Sequence, residues 1–506
     1  MRRLSWLSAV PIAAVLALGT AAPAQAASDE CIKIVGYEWS GEKQSMDPAD
    51  MHSGDDAYHV FSVYDRLLGV DSNFQVKPEL AESWESSEGG KIWTFHLRQG
   101  VKFHDGSDFD AADVVYTFQR ILDPELASGG APLLSFMKPE SIAAVDEHTV
   151  EFRLDEPVVE LPLLITNKFT NIVPEGAKHD DLRLHGIGTG PFKQEQFEPN
   201  APVRLLTRND DWWGGPVKPA CLRITVIQEP VASVSAIKSG EVDVLLNVDP
   251  STIPSVKDDP KVELTTTGAS NSMTLSMWVD TPPFDDLRVR QALKLVVDRQ
   301  AVIDTVLLGF GEPAADNPVP LGSPAAYAST APARDLEKVK QLLSDAGHND
   351  GLEIDLYTGE GVPGMVKMAQ VYAQMAADSG ITVNVNVTPA ESFWDDVWLK
   401  YPFVTSAWSM RPPAEGLSIA YTKDAKWNET HWYRDDYDDL LKKAAVTPDI
   451  AERTKLYQQA QELLAAEGGV IIPMFIHQVA AMRKGCSGFV PHVNNQYLDF
   501  ENIECQ

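Results

Sequence analysis

The chain has 506 residues, 44% of them hydrophobic, with 73 acidic against 42 basic side chains and a net charge of −31. That length exceeds one ordinary core and predicts two or three domains, and the apolar fraction excludes a disordered chain. The acidity disfavours nucleic acid and anionic lipid as partners and says nothing about fold.

Residues 1–26 read as a signal peptide. Arg2 and Arg3 supply the basic start, residues 4–18 the apolar stretch, and Ala24-Gln25-Ala26 the small-residue cleavage site. The apolar run is too short for a spanning anchor. The arginine pair matches the twin-arginine signal poorly, so the general secretory route is expected. Cys31 follows Ser-Asp-Glu, which is not a lipoprotein cleavage site. A soluble periplasmic protein of a double-membraned bacterium is expected, with no direct membrane insertion. An oxidising compartment favours disulfide closure, and the chain has four cysteines. Cys486 and Cys505 flank a loop-rich tail and are expected to pair, which leaves Cys31 with Cys221. The alternative is a pair of free buried thiols. No CxxC or Cys/His spacing suggests a metal.

Residues 31–37 form a short apolar strand. A polar loop over 38–56 carries Trp39, Ser53, Gly54 and Asp55. Residues 57–68 have helical period. Residues 78–84 open with a helical turn ending on Trp84, and a turn follows at 86–90. Ile92, Thr94 and His96 then alternate with Trp93, Phe95 and Leu97, which is strand periodicity. Val101 and Phe103 give a second short strand before the turn at Asp105-Gly106. Ser107 or Asp110 caps a helix from about Ala111, with Val114, Val115, Phe118, Ile121 and Leu122 on one face. Asp123-Pro124 ends it.

Three stretches of this region, PELAESW, FHLRQGVKFHDG and AADVVYTFQRILDP, occur in order. They closely resemble the signature of the family 5 extracellular solute-binding proteins, the peptide, nickel and opine receptors of ABC importers. SMDPADM, before them, resembles the family's turn after its first strand. The resemblance implies an α/β, two-lobed periplasmic-binding-protein fold with an extra subdomain over about 75–185 in the first lobe. It also implies a hinge, a monomer, a small-molecule or peptide ligand and an inner-membrane ABC permease as partner. No catalysis and no cofactor are implied.

Further on, residues 141–154 read as two strands about a turn at Asp146-Glu147-His148. The glycine-rich GIGTGPF of 186–192 lacks the Lys-Ser/Thr of a phosphate loop and is a tight turn, similar to the family's GTGP. Residues 222–228 form a strand and 231–238 a helix, with Gly240 at its left-handed end. VASVSAIKSGEVDVL and PPFDDLRVRQALKLVVDR again resemble the family, though Trp278-Val279-Asp280 departs from its pattern. The second half predicts a strand at 273–279, one long amphipathic helix at 287–303 and a helix at 331–347. Strand 352–358, helix 366–379 and strand 381–387 follow. That βαβ rhythm implies a largely parallel sheet. Shorter helices at 392–401 and 437–445 and a long one at 451–467 lead to two strands, 470–475 and 478–482. Residues 27–268 with the tail 484–506 would make the first lobe and 269–483 the second, with hinge crossings near 268 and 484.

No HExxH, G-x-S-x-G or Walker loop is present, and carboxylates are too abundant for any pair to stand out. His96 and His104 are read as structural. A secreted hydrolase using carboxylates is the alternative class. The candidate site is the loop after strand 403–407, containing Trp408, Ser409, Met410 and Arg411. Loops at the carboxyl ends of strands bind ligands in α/β sheets, and an aromatic wall with one fixed charge suits a small polar solute. Peptide receptors of the family carry, after the matching tryptophan, an aspartate for the peptide ammonium. No aspartate lies between Trp408 and Tyr421. Arg411 stands there and offers a fork for a carboxylate or phosphate, or an ion pair with Glu415. The expected ligand is therefore an acidic or opine-like solute, then a short peptide, with nickel chelate and haem as lesser options. Trp432, in WNETHWYRDD, lies in a stretch that the family places near the cleft; a core position is the other reading. Trp39, Ser53, Gly54 and Asp55 fall in loops that in the family approach the ligand.

Overall fold

The computed structural model describes residues 31–36, 44–51, 54–194, 197–199, 201–494 and 497–506, with backbone alone at 54, 55, 390 and 391. The signal peptide, Trp39 and Ser53 lie outside the described residues.

The architecture is two-lobed. Its two middle strands, Val262–Met277 and Val470–Arg483, are 16 and 14 residues long and pair antiparallel. Each is long enough to serve both lobes. Thr266 lies opposite Val479, Ala269 opposite His477 and Ser272 opposite Phe475, with register shifts between these pairs. On one flank Val470–Arg483 pairs with Val244–Leu245, and Cys31–Gly36, Cys221–Val226, Val203–Arg208 and Phe192–Lys193 follow in spatial order. On the other flank Val262–Met277 pairs with Phe403–Trp408, followed by Leu352–Gly359 and Ile381–Thr388. The two flanks bury separate cores: Ile34, Tyr58, Phe192 and Leu222 in the first lobe, Leu293, Leu356, Met368 and Phe403 in the second.

A separate antiparallel sheet orders Ala81–Ser87, Ile92–Leu97, Thr149–Arg153 and Ile142–Asp146. The helix Ala111–Ile121 covers it, and Phe95 and Phe118 meet Phe152 edge-on at 5.2 and 5.1 Å. Asp110 is the cap: its carboxylate accepts from Ala112 N at 2.7 Å, while Asp113 accepts from Asp110 N at 2.8 Å. The glycine-rich turn is indeed a turn. Gly190 N donates to Val63 O at 2.9 Å, an approach too close for a side chain. His104 braces it, with Nε2 2.9 Å from Gly190 O. Both disulfides have the expected partners, Cys31–Cys221 between neighbouring parallel strands and Cys486–Cys505 in the tail.

Several expectations are corrected. The helical turn ending on Trp84 is strand, because Ala81–Ser87 pairs along Ile92–Leu97 and long-range pairing overrides local spacing. The short strand at Val101 and Phe103 reduces to one bridge, Lys102 with Asp108. The single helix at 287–303 is two, Leu287–Leu295 and Arg299–Val306, with Asp298 capping the second by accepting from Ala301 N at 3.1 Å. Val296 and Val297 are buried across the break, so the apolar pattern runs through it. The helix expected at 331–347 begins only at Leu336, capped by Asp335. The two strands expected at 470–475 and 478–482 are one. The second-lobe sheet is mixed: Leu352–Gly359 runs parallel to both neighbours, but Phe403–Trp408 is antiparallel to Val262–Met277. Among the described residues no helix is long and apolar enough to cross a membrane.

Candidate functional site

Strand Phe403–Trp408 ends where Trp408 lies opposite Ser272 of the crossing strand. Pro412 then turns the chain into the helix Pro413–Ser418, so residues 409–411 are held between two fixed elements. Arg411 Nε donates to Glu415 Oε1 at 2.8 Å, and Nη1 donates to Ser409 O at 2.9 Å. Its guanidinium carbon lies 5.6 Å from the centre of the Trp408 ring. The ion pair with Glu415 is therefore formed, and the remaining Nη2 has no acceptor among the described residues.

Arg411 borders two recesses. One lies within the second lobe and at its crossing strands, walled by Ser270, Ser272, Trp408, Ser409, Met410 and Tyr421. The other opens between the lobes. There Arg411, Pro412 and Glu415 face Thr166, Asn167, Lys168 and Phe169 of the first lobe and Asn494 and Tyr497 of the tail. Asn494 Nδ2 donates to Met410 O at 3.2 Å and Tyr497 Oη to Thr166 O at 3.0 Å, which fixes the tail across this opening. Arg66 sits over Phe61 and Tyr497, 4.8 and 4.9 Å from their ring centres. Burial pushes the Tyr497 phenol up to about 12, so it is a neutral donor at the cleft. Elsewhere the lobes touch directly. Glu160 of the first lobe pairs with Arg453 Nε at 3.4 Å and accepts from Tyr457 Oη, and Val159 N donates to Ala445 O at 3.2 Å.

Behind the wall lies Glu429, fully buried. Its Oε1 accepts from Ser276 Oγ at 2.7 Å, Trp408 Nε1 at 3.1 Å and Thr274 Oγ1 at 3.4 Å; Oε2 accepts from Trp398 Nε1 at 3.0 Å.

Of the residues singled out in the sequence, Trp408, Ser409, Met410 and Arg411 come together around the recesses. Trp432 stands apart, 3% exposed and packed 4.9 Å from Tyr437 in the second-lobe core. Gly54 and Asp55 open the helix Gly54–Val63, where a loop was expected. Glu429, Asn494, Tyr497 and the 166–169 segment were not singled out. The one available signal was a glutamate among the aromatics of WNETHWYRDD, hidden among 73 acidic residues.

Two bodies joined by paired crossing strands, with a lined gap between them, define a periplasmic-binding-protein fold. Residues 75–428 match the family model described as bacterial extracellular solute-binding proteins, family 5 middle. The chain is 30% identical over 461 residues to Di/tripeptide-binding protein 1 of Pseudomonas aeruginosa (strain UCBPP-PA14), covering 84% of this chain and 85% of that one. Among solved structures it is similar to HbpA2 from Haemophilus parasuis, with TM-score 0.81 and 26% identity over 94% of this chain and 99% of that one. It is similar also to the PBP AgaA in complex with agropinic acid from A.tumefacien R10, with TM-score 0.79, 26% identity and the same coverage. The chain belongs to the bacterial extracellular solute-binding proteins, family 5, the binding components of ABC importers.

Proposed function

We propose that this protein is a periplasmic receptor that captures an acidic or opine-like solute, or a short peptide, between its lobes and delivers it to an inner-membrane ABC permease. It acts as a monomer and does no chemistry on its cargo. The carrying observation is Arg411: it borders both recesses, and among the described residues its Nη2 has no acceptor. A guanidinium so placed favours a carboxylate, and no aspartate is present between Trp408 and Tyr421 to hold an ammonium. The relatives' names support both ligand classes, di- and tripeptides for one and agropinic acid for another. The moving bodies are residues 27–268 with 484–506 and residues 269–483, except that residues 480–482 pack on the first lobe beside Val244–Leu245 and move with it, closing about the paired crossing strands.

The test is thermal stabilisation of purified protein by agropinic acid and by L-alanyl-L-glutamate. Stabilisation by either, lost in Arg411→Ala with the unliganded melting temperature nearly intact, supports the reading. Collapse of the unliganded variant makes Arg411 structural. A solute recovered chemically altered after overnight incubation favours a hydrolase instead.

A further inference from the structure

We propose that Glu429 is a positioning residue for the ligand site: it holds Trp408 by the indole N–H and, through that ring, sets the Arg411 guanidinium at the cleft. The inference rests on the Arg411 reading given above. Glu429 is a fully buried carboxylate, and among the described residues no Lys, Arg or His pairs with it. Burying an anion without a cation is costly unless donors surround it. Four neutral donors do so here, two hydroxyls of the crossing strand and two indoles. An apolar side chain would fill a core at lower cost, so the carboxylate needs another reason to be there.

That reason lies in what the bonded indole touches. Trp408 is wedged between Trp398 and Trp427, with ring centres 6.0 and 6.2 Å away, and its ring lies 5.6 Å from the Arg411 guanidinium. An anion on the indole N–H polarises the ring and makes its face more negative, which strengthens its attraction for a cation. Glu415 and Ser409 O hold two edges of the guanidinium, and the ring holds its plane. Glu429 thus sets the direction of the remaining donor without touching cargo. The crossing strand also contributes: Ser276, which bonds the carboxylate at 2.7 Å, lies on Val262–Met277.

The test uses the full mature chain and the variants Glu429→Gln, Trp408→Phe and their combination. Isotope-labelled protein, free of ligand, reports the Trp408 indole proton and the exchange rate of the Arg411 Nε proton by NMR. In Glu429→Gln the indole proton should move upfield and the Arg411 proton should exchange about tenfold faster. Trp408→Phe should speed that exchange equally, and the double variant no further. Calorimetry with agropinic acid and L-alanyl-L-glutamate should show the same pattern, about tenfold weaker binding in each single variant and in the double. An indole shift with unchanged Arg411 exchange overturns the proposal, as do losses that add in the double variant. If Glu429→Gln does not fold, Trp408→Phe decides alone, because unchanged Arg411 exchange there is equally fatal. If neither probe binds the wild type, the ligand assignment fails, and the exchange data still decide the role of Glu429.

Discussion

Asp65 in the first lobe and Glu429 in the second are both buried carboxylates that accept hydrogen bonds from two indoles. Asp65 Oδ2 accepts from Trp213 Nε1 at 2.7 Å, Thr189 Oγ1 at 2.8 Å and Trp212 Nε1 at 3.4 Å. Glu429 is caged by Trp398, Trp408 and two hydroxyls. The chemistry is the same, and the surroundings differ. The indoles on Asp65 pack against first-lobe cores, with Arg98 over Trp213 at 4.5 Å. One indole on Glu429 is a wall of a recess. Burial, with the like charge of Glu79 adding to it, raises the Asp65 carboxyl to about 6. A carboxylate cage is thus a way of fixing an indole, and what the indole faces differs: packed core beside Asp65, an open recess beside Glu429.

The largest expected effect tests the likeness of the two cages. Asp65→Ala and Glu429→Ala each leave two part-buried indole N–H groups and at least one hydroxyl without their acceptor and should each cost about 4 kcal/mol of unfolding free energy in urea titration. A loss under about 1 kcal/mol at either site would mean that its cage is slack. The second prediction separates them by pH. A raised Asp65 pKa means that the folded state binds the proton more tightly. That stabilisation is complete below the ordinary value of 3.8 and is lost as pH rises through about 6. Its full span is about 3 kcal/mol. His104 works in the opposite sense: burial lowers it to about 4, so its contribution is present above the ordinary 6.5 and is lost as pH falls through its folded value. Melting curves of wild type and Asp65→Asn between pH 4.5 and 7.5 isolate the aspartate. Relative to the variant, the wild type should gain stability on acidification, and a flat difference would refute the shift. The smallest effect concerns the contact between the lobes. Glu160→Ala removes the partner of Arg453 and Tyr457 and should cost about 1 kcal/mol of closure. It should appear as a larger radius of gyration in solution scattering, with both cages undisturbed. An unchanged radius would mean that Glu160 does not hold the lobes together.

Much of this was legible in the chain. The stretch from Pro78 to Pro124 announced its sheet and helix through alternation at Ile92–Leu97 and the Asp110 cap. The disulfide partners followed from their place in the chain. The failures share a cause, which is context that local periodicity does not carry. Ala81–Ser87 is strand because a partner lies alongside it, though its serines and glutamates are poor strand formers. Val296 and Val297 continued the apolar pattern across a helix break that Asp298 imposes. Trp408 and Arg411 were singled out because they follow an apolar strand in a loop that combines an aromatic wall with one fixed charge, and the structure brings them together at a recess. Glu429 was not, since nothing local distinguishes a caged glutamate from a solvated one.

The paired crossing strands have a mechanical consequence. Both covalent connections between the bodies run side by side and are laced together at Thr266–Val479 and Ala269–His477. A twist in one is matched by its neighbour, so the closure proposed above would be a swivel about a single axis rather than a slide. Gly268 lies in this flexure, and a methyl group added there would meet no atom within 4 Å. The stiffness of the joint can therefore be altered without collision, which would change the work of the proposed shutting and leave Trp408 and Arg411 as they are.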